Sequence, residues 1–124
     1  MVKVAKGQVS IERDGKKLPA TVGSQIEVAD RVHTGSDGSV GVTLRDNTLL
    51  SAGPNSLIVI DKFAFDNATQ DGNMSIRIRK GTLSVASGKI AKRTPESVDF
   101  HTPTSVLGVR GTEFVIEVEG GRDE

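Results

Sequence analysis

The 124-residue chain contains no cysteine, no tyrosine and no tryptophan. Without cysteine it forms no disulfide framework, no thiolate metal site and no cysteine nucleophile. Its only aromatic side chains are four phenylalanines, too few to interleave with basic residues as base-stacking platforms. Charge of one sign is also missing: 16 Lys+Arg stand against 16 Asp+Glu. A neutral balance argues against the basic surface that nucleic-acid binding requires. Long apolar runs are absent too. The longest, Leu57-Ile58-Val59-Ile60, is far below the ~20 residues of a membrane-spanning helix. Met1–Lys6 carries no apolar leader core, so the chain as given is expected to be soluble. Any leader or anchor would lie outside it.

What the chain does have is glycine, 14 residues in all, and a hydrophobic period of two. Val9 and Ile11 alternate with polar neighbours, as do Val40, Val42 and Leu44, Ile76 and Ile78, Leu83 and Val85, and Phe114, Ile116 and Val118. Successive side chains of a strand point to opposite faces, so these segments read as half-buried strands. Turn signals separate them: Asp14-Gly15, Asp37-Gly38, Asp46-Asn47, Gly53-Pro54-Asn55, Asp71-Gly72 and Lys80-Gly81. The expected fold is all-β with little helix, a compact two-sheet β-sandwich or β-roll of many short strands. A double-stranded β-helix or short solenoid-like coils are the alternative. Met74–Arg79 and Thr82–Ala86 are expected as separate strands. The short helical window Ser87–Lys92 carries little weight. One domain is expected over residues 1–119, with 120–124 a flexible tail.

Catalytic and metal constellations do not assemble. Two histidines, His33 and His101, have no nucleophile elbow to serve. Asp30, His33 and Asp37 lack the ordered oxygen ligands of a cation loop. Asp61, Asp66, Asn67 and Asp71 are more simply turn residues. The Gly81…Gly88-Lys89 stretch is not a phosphate loop, because no Ser or Thr follows the lysine. No cofactor is expected, and the chain is read as non-enzymatic. The cations Arg77, Arg79, Lys80, Lys89, Lys92 and Arg93 read as solvated strand charges that discourage edge pairing. The run Leu57, Ile58, Val59, Ile60 and the pair Phe63 and Phe65 are candidate partner surface, although core is the more economical reading.

Two stretches are more specific. The first runs from Val22 to Thr48 and contains Val22-Gly23-Ser24-Gln25-Ile26-Glu27-Val28-Ala29-Asp30-Arg31-Val32-His33-Thr34-Gly35 and Val40-Gly41-Val42-Thr43-Leu44-Arg45-Asp46-Asn47-Thr48. The second runs from Phe100 to Ile116 and contains Thr102-Pro103-Thr104 and Val109-Arg110-Gly111-Thr112-Glu113-Phe114-Val115. In this order they resemble the FecR domain family, across about Gly7 to Val118. Two positions depart from its pattern: Ala29 stands where glycine is usual before Asp30, and Asn47 where glycine is usual after Asp46. The motif residues Asp30, Asp46, Arg110, Gly111 and Thr112 are read as structural. An arginine among apolar residues needs a carboxylate, so Arg110 is expected to pair with Asp30, with Asp46 as second choice. Gly111 would permit a bulge and Thr112 could cap the turn.

The resemblance implies an extracytoplasmic module of the bacterial envelope. FecR proteins carry a cytoplasmic sigma-factor-binding region, a membrane helix and a periplasmic part that senses a TonB-dependent transporter; this chain resembles the extracytoplasmic domain only. The implied function is protein–protein recognition in signalling, in the periplasm or elsewhere outside the cytoplasm. The implied partner is an envelope protein, with neither nucleic acid nor direct membrane insertion. Strand edges offer β-augmentation and self-association. The alternative is a secreted or lipoprotein structural module binding cell-wall glycan, a role for which exposed aromatics are wanting.

Overall fold

A computed structural model describes residues 1–109 and 111–119. Arg110 and the tail 120–124 lie outside the described residues. The chain forms β1 (Val2–Lys6), β2 (Val9–Arg13), β3 (Lys16–Pro19), β4 (Arg31–Thr34), β5 (Ser39–Thr43) and β6 (Leu49–Ala52). There follow β7 (Leu57–Phe65), β8 (Gly72–Ala86), α1 (Lys89–Arg93), a 3-10 turn (Pro95–Ser97), β9 (Val98–His101), β10 (Val106–Leu107) and β11 (Glu113–Val118). The expectation of an all-β fold with little helix is met.

The faces that a sandwich would build from two sheets are here the halves of one curled sheet, a half-barrel. Its path runs β1-β5-β6-β8-β7-β4-β2-β3. All pairs are antiparallel except β8 with β9. The 15-residue β8 joins the halves. Its first part pairs with β7 on one side and β9 on the other. Its second part, from Gly81 to Ala86, lies between β6 and β11.

The sequence reading broke this strand at Lys80-Gly81; the structure bends it there instead. Gly81 has φ +94, and a Cβ at that point would collide with both the backbone and the side chain of Ser56. Only glycine gives the left-handed kink and the close approach together. The bend is held by a buried polar node. Ser56 Oγ accepts the Thr82 N–H at 3.0 Å, while Thr34 Oγ1 accepts the Ser56 N–H at 2.8 Å and donates to the Gly53 carbonyl at 2.6 Å.

The β2–β3 hairpin turns on Asp14 (φ 54) and Gly15 (φ 76). Two positive φ values make the primed turn whose twist matches the strands. The aliphatic faces of the halves meet inside the curl. Val32, Ile58 and Ile60 from one half and Val40, Leu50 and Leu83 from the other enclose a void of only about 10 Å³. That is near the lower limit for a single water, and the lining is apolar, so the interior is dry and closely packed. The short helix matters more than its sequence suggested. Ile90 is fully buried and joins the core cluster as a plug. Among the described residues no helix is long and apolar enough to cross a membrane.

Candidate functional site

The motif residues sort by burial. Asp30 is 1 % exposed. It sits at the start of β4, where the antiparallel register of β2 with β4 (Val9 with Thr34, Glu12 with Arg31) continues to Arg13. Arg13 binds it with two parallel bonds, Nε to Oδ1 at 2.9 Å and Nη2 to Oδ2 at 2.8 Å. The Glu27 N–H adds a third at 2.8 Å, and Arg13 also reaches Glu27 Oε2 at 3.2 Å. Burial alone would raise the Asp30 pKa, but the Arg13 bonds, the Glu27 N–H and the Arg13 charge outweigh it and hold the carboxyl below its usual range. The bond to Asp30 in turn raises the Arg13 pKa. The arginine that binds Asp30 among the described residues is Arg13; the expected partner, Arg110, lies outside them.

Asp46 is fully buried. It accepts the Thr48 N–H at 3.1 Å, the Thr48 hydroxyl at 2.8 Å and the Ile90 N–H at 3.2 Å. It therefore ties the β5–β6 turn to the first residues of α1. Gly111 has φ +90, and its carbonyl accepts the Ser87 hydroxyl at 3.1 Å. The Thr112 carbonyl accepts the Ser87 N–H at 2.7 Å. The backbone of this segment, rather than a Thr112 side-chain cap, docks β11 beside β8.

Of the six residues named as partner surface, Leu57, Ile58, Val59, Ile60 and Phe65 are buried. Phe63 is half-buried with the Arg45 guanidinium 5.5 Å from its ring centre. Five of the six thus have no surface to offer: the first part of β7 lies between β4 and β8, with Leu57, Ile58, Val59 and Ile60 covered on both faces, while its second part carries the exposed Lys62 and Ala64.

A polar patch on the outer face of β8 and β9 invites a catalytic reading. Ser75 Oγ donates to Asp99 Oδ1 at 2.7 Å, and His101 Nε2 meets the same oxygen at 2.9 Å. Nucleophile activation needs the imidazole on the hydroxyl. Here no bond joins Ser75 to His101, and both converge on the carboxylate. The cluster clamps the parallel β8–β9 pair. Among the described residues no three His, Asp or Glu side chains gather as metal ligands.

One feature with room for a partner is the far edge of β11. The Ser87 N–H to Thr112 carbonyl bond sets the phase of the β8–β11 ladder. By the alternation of antiparallel bonding, Phe114, Ile116 and Val118 turn their N–H and C=O groups to β8. Those of Val115 and Glu117 point the other way, and no described strand pairs with them. Beside this edge runs a groove of about 550 Å³, walled by Thr102, Pro103, Thr104, Ser105, Leu107 and Gly108 and by β11. The Phe114 ring stands edge-on to the buried Phe100, 5.4 Å between centres, and so fixes β11 to the core. Most of the walls come from the second motif stretch, and Glu117, Val118 and Glu119 complete them.

A family model described as FecR protein matches residues 30–124. The chain belongs to the FecR family. No curated protein and no solved structure matches it. Family membership suggests a signalling or regulatory module of the envelope. Within this FecR domain the first motif is a folding signature: Asp30, Thr34, Asp46 and Thr48 are all buried polar residues. The second borders the open edge. Sequence reasoning missed Arg13, Thr34 and Ser56. The Asp14-Gly15 turn marks Arg13 as the last residue of β2, but its place opposite Asp30 follows only from the pairing of β2 with β4.

Proposed function

We propose that this FecR domain, spanning residues 1–119, is a non-enzymatic protein-recognition module acting outside the cytoplasm, in the periplasm or on an envelope protein. Its partner is an envelope protein of a signalling system of the sigma-factor and TonB-dependent-transporter kind. Recognition proceeds by β-augmentation at β11. The observation that carries this reading is the open edge itself: main-chain groups at Val115 and Glu117 that no described strand pairs, beside a groove with an apolar floor. Main-chain pairing gives affinity and side-chain pockets give specificity in such complexes. Glycan binding has no comparable support, since Phe65 and Phe100 are buried and Phe63 and Phe114 are half-buried.

A photo-crosslinking side chain placed at position 115, in the native envelope, tests the reading. A single signalling protein should be trapped there and not from position 17 on β3. Glu117→Pro, which removes an N–H that β8 does not use, should abolish the product without lowering the melting temperature much. Equal trapping from both positions, or a product indifferent to Glu117→Pro, would overturn it.

A further inference from the structure

We propose that the strand received by β11 is basic and amphipathic: an extended segment of the partner protein that alternates aliphatic residues with lysine or arginine. This rests on the recognition reading above and specifies its partner.

The inward face of β11 sets the aliphatic half of the pattern. A strand added beside β11 would lie about 4.8 Å away. Its inward side chains would enter the groove already floored by Leu107, Phe114, Ile116 and Val118. Polar side chains there would lose water with little to bond to.

The outward face sets the charge. Glu113, Val115 and Glu117 alternate on the solvent side of β11, and Glu119 continues the row. Val115 is 64 % exposed. None of the three glutamates has an ion-pair partner among the described residues. Glu113 and Glu117 stand across from Ala86 and Thr82 on β8, and Val115 between them from Ser84, all neutral. Beyond these, β6 presents Leu49 and Ser51. Glu113 and Glu117 therefore meet no cation across the ladder, although the chain as a whole is neutral. Opposite charges directly across a ladder attract and like charges repel. An arriving acidic strand would be rejected and a basic one drawn in, with rates that fall as salt rises.

The test is fluorescence anisotropy of the full chain with three labelled nine-residue peptides. One alternates lysine and valine, one alternates glutamate and valine, and one carries the lysines and valines in blocks. The alternating lysine peptide should bind at least tenfold more tightly than either other, and weaken with salt. Glu113→Lys combined with Glu117→Lys should reverse the preference between the two alternating peptides, and Glu117→Pro should remove binding of both. A preference that the double variant does not reverse, equal binding of the block peptide, or no binding of any peptide would overturn the proposal. If instead Glu117→Pro leaves lysine-peptide binding intact, the β11 edge itself is refuted as the site. A concentration-dependent oligomer in sedimentation, dispersed by the double lysine variant, would assign the edge to a second copy and overturn it as well.

Discussion

Removing the Asp46 carboxylate should unfasten α1 from the sheet. The side chain is fully buried and accepts three hydrogen bonds, two of them from the backbone N–H groups of Thr48 and Ile90. Asp46→Ala leaves both N–H groups without an acceptor, at about 1–3 kcal/mol each. The Thr48 hydroxyl can rotate, so it adds less. The expected loss is about 4 kcal/mol, a large part of the ~5–15 kcal/mol that holds a typical domain. With an m-value of ~1.5–2 kcal/mol/M, the urea midpoint should fall by about 2 M. Asp46→Asn keeps the shape and one acceptor oxygen. Whichever way the amide is turned, one N–H faces an NH₂ group, so the loss should be about 1–3 kcal/mol. Equilibrium urea unfolding gives the graded series, and hydrogen exchange locates it, since the Thr48 and Ile90 amides should lose protection first. A loss below about 1 kcal/mol in Asp46→Ala, or identical losses in the two variants, would refute the clamp.

Ala29 adopts φ 75, a left-handed conformation that costs a side-chain-bearing residue ~1–2 kcal/mol. Ala29→Gly should therefore raise stability by up to about 1 kcal/mol after the entropic cost of glycine, seen as a higher melting temperature; a lower one would refute the strain. Ile90→Ala should cost about 2–5 kcal/mol in chemical unfolding as a buried core truncation, and a loss under about 1 kcal/mol would mean that α1 is not a plug. Asp30 has a depressed pKa in the folded protein, so its contribution is present above the unfolded value of ~3.9 and is lost as pH falls through the folded value. Melting temperatures from pH 7 to pH 2 should show a shallower acid decline for Asp30→Asn than for the wild type, and parallel curves would refute the linkage.

Period two and the turn residues made most strands legible, because both are local. The Asp14-Gly15 hairpin and the left-handed Asn47 (φ 72) follow directly from residue type. What was not legible depends on register. Arg13 and Asp30 are opposite one another only because β2 pairs with β4 around an intervening hairpin. Lys80-Gly81 reads as a turn because glycine punctuates both turns and kinks, and only the position of Ser56 across from it separates the two. Ile90 and Ala91 give too short an apolar pattern to mark a helix, yet Asp46, over forty residues earlier, supplies its anchor. The recognition edge was harder still. A strand in the sheet's middle and one at its border have the same alternation, so β11 could not be placed at the border without the topology.

The long central strand also dictates the order of assembly. Residues before Gly72 make two separate strand groups, β1-β5-β6 and β3-β2-β4-β7, each lacking its last neighbour. Chain emerging later supplies that neighbour to both at once, as a single continuous segment. Most pairings are therefore non-local, and their loop-closure cost falls before any core is sealed, which places such domains among the slow folders, in the range of milliseconds to seconds. Neither group can mature ahead of the other. The domain should reach its native state late and in one step, and the amides of Ile76, Ile78 and Leu83 should exchange only when the whole molecule opens.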